Sequence, residues 1–329
     1  MPELPEVETI RQGLLKRALR RHLAALEVHN PLVIVGSADD FAETIAGRRI
    51  ESVLRKGKAL ALELVGKNGT APRYLLVRLG MTGQFTVAPQ GAPLEPHTHV
   101  RILFEGGAEE IRYRDPRRFG RLRCCTREQL DQVFASLGPD APQITLEQFF
   151  QAMQGRRGAV KLWLLNQKML AGLGNIYADE ALFEAGIHPL AQPGRIAEAA
   201  ARRLHRAVRR VLTRAVALQG TTFRDYIDIE GRPGNFEPRL KVYQRTGEPC
   251  RRCGHDIRRV VVGGRGSHFC PHCQPRPHYL AAASRVRAVP EDTPPRTAVR
   301  LRRVVLRTSK HKSPPGRFRV NSVHAARHR

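Results

Sequence analysis

The chain has 329 residues, of which 41% are apolar, and its 56 lysines and arginines outnumber its 30 acidic residues by 26. This length predicts two or three domains, and the apolar share favours packed domains over a disordered chain. No long apolar run accompanies the positive charge, so we expect a polyanionic partner, nucleic acid before membrane. The amino terminus is acidic and lacks the features of a signal peptide, which favours a cytoplasmic protein.

The first residues, Met1-Pro2-Glu3-Leu4-Pro5-Glu6, allow two interpretations. If the initiator methionine is removed, Pro2 carries a secondary amine with a pKa near ~8, which leaves a nucleophilic fraction at neutral pH. Glu3 and Glu6 then place carboxylates beside that amine, where a general acid is needed. The alternative is a helix amino terminus, where proline and acidic residues are both common. On these residues alone the second interpretation is favoured.

Periodicity divides the chain into regions. Residues 3–25 are predicted to form one amphipathic helix, because apolar residues recur there at three-to-four spacing. Residues 25–123 hold short apolar runs broken by glycine and proline, which predicts the strands of a sandwich or barrel. The clearest of these runs are 60–64, 74–79, 100–104 and 122–124. Residues 144–218 have a helical period, and short β runs surround the cysteines of 236–276.

The last 53 residues differ in character from the rest. Residues 277–329 contain 13 lysines and arginines against two acidic residues, with several prolines and little apolar periodicity. Such a composition predicts a disordered basic extension that adds nonspecific affinity for nucleic acid.

Four cysteines have the spacing of a metal site. Cys250 and Cys253 are separated by two residues, as are Cys270 and Cys273, with 16 residues between the pairs. Two turns of this kind bring four thiolates to one Zn²⁺, in a closed site that is structural and not catalytic. A redox dithiol is the alternative. Cys124 and Cys125 are predicted to pack in a strand.

Several further residues carry weaker signals. Met81 and Phe119 lie on glycine-flanked loops, and Phe119 is close to Arg117, as expected of a wedge that replaces an extruded base. The alternative is that both apolar side chains pack in the core. His97 and His99 have the spacing of a metal pair on a strand. A Gly-Leu-Gly turn at 172–174, before a predicted helix, is able to cradle a phosphate with its backbone N–H groups.

The opening PELPEVET resembles that of bacterial formamidopyrimidine-DNA glycosylase, and the similarity continues to about Arg276 through LGMTG, DPRRFG and the cysteine hairpin. The resemblance implies an α+β multidomain fold, with an N-terminal β-sandwich flanked by helices. A helical C-terminal lobe then carries a helix–two-turns–helix motif and a β-hairpin zinc finger. The implied domains are a catalytic sandwich at 1–136, a helical DNA-binding domain at 137–236, the zinc finger at 237–276 and the tail at 277–329.

The resemblance also implies a function. It predicts a monomeric, bifunctional glycosylase and abasic-site lyase that removes 8-oxoguanine and formamidopyrimidines from double-stranded DNA and cleaves at abasic sites. Pro2 would form the Schiff base, Glu3 would protonate the sugar, and β- and δ-elimination would follow. The resemblance places Lys58 and Arg265 in the catalytic site and His97 near the backbone of the damaged nucleotide. Met81 and Phe119 would fill the space that the extruded base leaves, and Arg117 would pair with the orphan cytosine. Lys161 and Asn175, joined by Arg265, would hold the flanking phosphates.

Two alternatives stay open at this point. An enzyme resembling endonuclease VIII would use the same chemistry on oxidised pyrimidines, although its opening usually reads PEGPE, whereas this chain has Leu4. A non-catalytic zinc-finger protein that binds damaged DNA would hold an abasic site without cutting the strand.

Overall fold

Two antiparallel four-stranded sheets share one apolar core in the first 125 residues. The structure is a computed structural model, and it describes residues 2–66 and 69–281. The eight strands are β1 (Leu23–Val28), β2 (Arg49–Lys56), β3 (Ala59–Val65), β4 (Arg73–Arg78), β5 (Gln84–Pro89), β6 (Thr98–Phe104), β7 (Glu109–Arg114) and β8 (Arg121–Cys125). The first sheet has the order β2-β3-β4-β8 and the second the order β1-β6-β7-β5.

Seven helices flank the sheets or follow them in the described residues before the chain reaches 276. They are α1 (Leu4–Ala18), α2 (Ala38–Ile45), α3 (Arg127–Ala135), α4 (Leu146–Met153), α5 (Val160–Leu165), α6 (Asn175–Ala185) and α7 (Glu198–Ala217). The helices α4 to α7 enclose a second apolar core, which contains Phe149, Trp163 and Tyr177. A hairpin of β9 (Arg258–Val262) and β10 (Arg265–Phe269) follows, and α8 (His278–Ala281) ends the described region.

The strand predictions are confirmed, and the sandwich is the predicted architecture. All four apolar runs singled out in the sequence coincide with strands, and Cys124 and Cys125 lie on β8. The helix predicted for residues 3–25 is too long. The helix ends at Ala18, Arg20 adopts a φ of +62°, and the chain turns into strand β1 at Leu23. The apolar residues after this turn lie on β1, and they pack into the same apolar core as α1.

The start of the predicted tail packs against the helical region. The hydroxyl of Tyr279 accepts a hydrogen bond from Gln192 N at 2.8 Å, and the guanidinium of Arg195 lies 4.8 Å from its ring centre. The predicted disorder of residues 282–329 lies outside the described residues. Within the described residues, no helix is long and apolar enough to cross a membrane.

Candidate active site and nucleic-acid interface

The carboxylate of Glu3 occupies the amino terminus of α6. It accepts hydrogen bonds from Gly174 N at 2.7 Å and Ile176 N at 2.9 Å, and the residue is buried. A Cβ on Gly174 would collide with the Glu3 side chain, so this close approach requires glycine. The predicted phosphate cradle is therefore corrected: these N–H groups bind a carboxylate of the protein itself. Pro2, next to Glu3, is buried at the same junction.

Glu6 ties the start of α1 to two other elements. One carboxylate oxygen accepts from Glu3 N at 2.7 Å, and the other accepts from Thr221 N at 2.8 Å and from the Tyr177 hydroxyl. Burial raises the pKa of Glu6, and the nearby charge of Glu3 raises it further. Pro2 and Glu3 are thus held between α1, α6 and the segment after α7.

Lys58 lies on the turn between β2 and β3, within range of the charges of Glu3, Glu6 and Arg265. Burial lowers the pKa of Lys58, the two glutamates oppose that effect, and Arg265 adds to it. A lysine with a lowered pKa gives up its proton more readily than an exposed lysine, which favours a role in proton transfer. Lys58 is therefore within charge range of Glu3 and Arg265, and Pro2 adjoins Glu3 in the chain.

Met81, Arg117 and Phe119 lie on two loops that touch through their backbones. A Cβ on Gly80 would lie 2.6 Å from Gly120 N, so the loops approach as closely as glycine allows. Met81 is 38% exposed and Phe119 is 54% exposed, which excludes the alternative that they pack in the core. The Arg117 guanidinium lies 4.7 Å from the centre of the Phe119 ring.

Asp115 organises the second of these loops. Its Oδ1 accepts from the Thr82 hydroxyl at 2.5 Å, which joins the two loops, and its Oδ2 accepts from Gly120 N at 2.8 Å. The buried ring of His99 contacts the Asp115 carbonyl through Nε2 at 2.8 Å. His97 is exposed with a φ of +68°, so the two histidines do not form a metal pair.

Lys161 is a buried residue of α5. Its side chain is fully buried, and its ammonium forms an ion pair with Asp179. Burial lowers the pKa of Lys161, while Asp179 opposes that effect. Asp179 also accepts from His268 N of β10 at 2.9 Å. The ammonium of Lys161 is therefore engaged inside the protein and not presented on the surface.

Asn175 contacts the strand that begins with Arg265. Asn175 Nδ2 donates to the Gly266 carbonyl at 3.0 Å, which fixes the first residue of α6 against β10. Arg265, the first residue of β10, is exposed. The two predicted phosphate ligands thus lie on adjoining elements.

The four predicted zinc ligands come together in the hairpin region. Cys253 Sγ lies 3.4 Å from Cys270 Sγ and 3.4 Å from Cys273 Sγ, and Cys250 Sγ lies 4.0 Å from Cys273 Sγ. A tetrahedral zinc with Zn–S bonds of ~2.3 Å requires sulfur atoms about 3.8 Å apart. Arg252 N and Cys273 N each point at a sulfur, at 3.4 Å. The residues fit one structural Zn²⁺.

Comparisons with known proteins agree with this geometry. Three family models match: the formamidopyrimidine-DNA glycosylase N-terminal domain at residues 1–122, its H2TH domain at 136–226, and the zinc finger found in FPG and IleRS at 247–276. The formamidopyrimidine-DNA glycosylase of Solibacter usitatus is 43% identical over 277 residues, which are 84% of this chain and all of that protein. The chain belongs to the formamidopyrimidine-DNA glycosylase family.

Solved structures of the formamidopyrimidine-DNA glycosylase family share the fold. A mutant of the Lactococcus lactis FPG in complex with Fapy-dG-containing DNA superposes with a TM-score of 0.78 at 33% identity. The match covers 84% of this chain and all of that one. MutM in complex with DNA containing carbocyclic 8-oxo-G gives a TM-score of 0.77, with the same identity and coverage. The predicted α+β fold, with its helix–two-turns–helix and zinc-finger parts, is confirmed.

Some residues of the site could not be identified from the sequence. Tyr177 and Thr221 bind Glu6, and Asp179 binds Lys161, yet each is far from its partner along the chain. No spacing or local pattern connects such pairs. A buried lysine inside an otherwise apolar helix segment, Val160–Leu165, is a signal that a carboxylate must lie nearby.

Proposed function

We propose that this chain is a bifunctional DNA glycosylase and abasic-site lyase of base excision repair that removes oxidised purines from double-stranded DNA. The observation that carries the proposal is the placement of Glu3 on the amino terminus of α6, with Pro2 beside it and Lys58 within charge range. A nucleophile, a carboxylic acid and a lysine at one point are the groups that such chemistry needs.

Pro2 and Glu3 supply the reaction steps. Once Met1 is removed, the Pro2 nitrogen attacks C1′ of the damaged nucleotide, and Glu3 protonates the sugar ring oxygen as the ring opens and the base leaves. The iminium ion at C1′ acidifies the neighbouring sugar carbon, so the 3′ phosphate and then the 5′ phosphate are eliminated. Lys58, with its lowered pKa, is available for proton transfer beside them.

The two exposed loops enter the duplex at the position from which the base is extruded. Met81 and Phe119 fill the space that the base leaves, and Arg117, stacked on the Phe119 ring, pairs with the orphan cytosine. The backbone contact between Gly80 and Gly120 supports a single wedge that enters the duplex as one body.

Phosphates on either side of the lesion bind near the zinc finger. Asn175 and Arg265 are the ligands that the geometry favours, because their elements adjoin and Arg265 is exposed. Lys161 supports this phosphate site by joining α5 to α6 and β10 through Asp179, and His97 contacts the backbone of the damaged nucleotide. Zinc, bound by the four cysteines, holds the finger in shape and takes no part in the chemistry.

Purines are the favoured substrates. The relatives carry the name formamidopyrimidine-DNA glycosylase, and the matching structures contain Fapy-dG and 8-oxo-G. We place the functional units at 1–136, 137–236 and 237–276, and the site of action on the nucleoid in the cytoplasm. A panel of duplexes with oxidised purines or oxidised pyrimidines tests the substrate class, and faster release of the pyrimidines would favour the endonuclease VIII type.

Borohydride trapping tests the mechanism. A duplex with one 8-oxoguanine opposite cytosine is incubated with wild type, Pro2→Gly or Glu3→Gln in the presence of borohydride. We expect a covalent adduct that maps to Pro2 in wild type and that is absent from Pro2→Gly and much reduced in Glu3→Gln. Tight binding without an adduct, from protein shown to begin at Pro2, would mean a non-catalytic damage binder.

A further inference from the structure

The turn that carries Lys58 is held by side chains that the proposed mechanism does not use. Gly57 and Lys58 form the two-residue loop between β2 and β3, whose final pair is Lys56 opposite Ala59. Gly57 has a φ of +56°, as the first position of so short a hairpin loop requires. The position of the Lys58 side chain therefore depends on how this turn is fixed.

Asp140 and Arg55 bind both peptide groups of Gly57. Asp140 Oδ1 accepts from Gly57 N at 2.6 Å, and Asp140 Oδ2 lies 2.7 Å from Arg55 Nη2. Arg55 Nη1 donates to the Gly57 carbonyl at 3.1 Å. That carbonyl belongs to the peptide bond that leads into Lys58. One ion pair thus holds the turn from its amide side and its carbonyl side.

This ion pair is anchored and shielded from solvent. The side chain of Arg55 is 10% exposed and that of Asp140 is 7% exposed. Arg55 Nε makes a further bond of 2.8 Å to Glu8 Oε2 on α1. Charge-assisted hydrogen bonds in such surroundings are stronger and more directional than those on a surface.

The segment around Asp140 also seats the amino terminus. Ala141 N donates to the Ala171 carbonyl at 2.9 Å, and the next carbonyl, that of Gly172, accepts from Leu4 N at 3.0 Å. A Cβ on Gly57 would lie 2.9 Å from the Ala171 side chain, so the Lys58 turn rests on the same segment. Asp140 therefore connects the turn of the sandwich to the surface on which Glu3 and Leu4 are placed.

We propose that Asp140 and Arg55 are positioning residues that fix the Lys58 ammonium relative to Pro2 and Glu3. The inference rests on the proposed function, since it concerns the lysine of that catalytic centre. Neither residue touches the reacting atoms; both act through the peptide groups of the turn.

A double-mutant cycle with Lys58 tests the proposal. Single-turnover release of 8-oxoguanine from a duplex is measured for wild type, Asp140→Ala, Lys58→Ala and the double variant. We expect Asp140→Ala to slow release by about 10- to 100-fold, the effect of a displacement of about 1 Å in a catalytic group. In the Lys58→Ala background the same change should slow release by no more than about twofold, because its effect passes through Lys58.

Two further variants keep the test decisive. Asp140→Asn has nearly the same shape and retains an acceptor for Gly57 N, so it should fold and lose less activity than Asp140→Ala. If Asp140→Ala is thermally unstable, Asp140→Asn takes its place in the double-mutant cycle. Asp131→Ala removes an acid from the exposed ion pair with Arg127 and should release the base at the wild-type rate.

The outcomes distinguish the proposed glycosylase function from the positioning role of Asp140 and Arg55. Wild type that releases no base refutes the proposed function itself. Active wild type in which the effects of Asp140→Ala and Lys58→Ala multiply shows a general structural effect and overturns the positioning role. Wild-type activity in Lys58→Ala or in Asp140→Ala overturns it as well, and leaves the glycosylase assignment standing.

Discussion

Glu3 Oε1 accepts a hydrogen bond from Ile176 N at 2.9 Å, although the two residues lie 173 positions apart in the chain. A carboxylate at this place satisfies N–H groups that a helix leaves unpaired at its first turn, and it complements the positive end of the helix dipole. The proposed catalytic acid is therefore also one of the contacts that join the amino terminus to the helical region.

We predict that Glu3→Gln lowers stability as well as activity. The amide replaces one carboxylate oxygen by an NH2 donor, so at least one of Gly174 N and Ile176 N loses its acceptor in a buried place. A loss of about 1–3 kcal/mol in the free energy of unfolding is expected. Urea denaturation of both proteins measures it. An equal or higher stability of Glu3→Gln would show that the carboxylate is held there at a net cost to the fold.

Arg117→Ala should change the preference for the base opposite the lesion. With the guanidinium gone, the orphan cytosine loses its hydrogen-bond partner, and we expect discrimination between cytosine and adenine to fall by about 1–3 kcal/mol. Release rates are compared on 8-oxoguanine paired with each base. Arg118→Ala is the matched control, because it removes the same charge from the same loop and should weaken binding to both duplexes equally. An unchanged preference in Arg117→Ala would show that this residue does not pair with the orphan base.

The sequence predicts this molecule well where partners are close in the chain. The four cysteines identify their site by spacing, and the apolar runs at 60–64 and 100–104 form strands that are almost entirely buried. The predicted end of α1 is too late because the chain turns at Arg20, which has a positive φ. Arginine rarely adopts that conformation, so the sequence does not indicate the turn.

Contacts between distant residues could not be predicted. The Gly-Leu-Gly turn resembled a phosphate cradle, yet its anion is Glu3, which sequence spacing does not connect to it. Likewise, nothing local joins Asp140 to Gly57 or Lys161 to Asp179. Asp140 and Gly57 meet only when the helical region packs on the sandwich, and Lys161 and Asp179 meet only when α5 packs on α6.

Lys161→Met should destabilise the protein by about 3–5 kcal/mol, because it leaves Asp179 buried without its counter-charge. Asp179→Asn in the Lys161→Met background should recover part of the loss. Thermal denaturation measures both effects. A direct phosphate contact predicts the reverse: nearly unchanged stability, and a slope of log affinity against log salt that is smaller by about 0.9.

Removal of zinc should abolish DNA binding without unfolding the sandwich. The ion closes the hairpin that carries Arg265, and closed thiolate sites contribute directly to folding. We expect one zinc per chain, a loss of lesion-specific affinity in Cys273→Ser, and no such loss in Cys124→Ser, whose thiol lies on β8. Zinc content by mass spectrometry and binding to an abasic analogue are the measurements. Retained affinity in zinc-free Cys273→Ser would mean that the finger is not needed to place Arg265.

His188 should make the fold sensitive to acid. Burial lowers its pKa to about 4, with the charge of Arg276 adding to the effect, and its Nδ1 accepts from Leu190 N at 3.1 Å, which requires the neutral ring. The unfolded chain protonates this histidine near pH ~6.5, so its contribution is complete above that pH and is lost as the pH falls toward 4.

We therefore expect His188 alone to lower the free energy of unfolding by roughly 1 kcal/mol for each pH unit between pH 6.5 and 4. His188→Asn keeps an acceptor for Leu190 N but does not titrate, so its stability should depend less on pH. His97→Asn, a change at an exposed position that asparagine tolerates, should follow wild type. Urea midpoints at several pH values give the comparison, with zinc content checked in each sample. Parallel curves for wild type and His188→Asn would show that other groups carry the acid sensitivity.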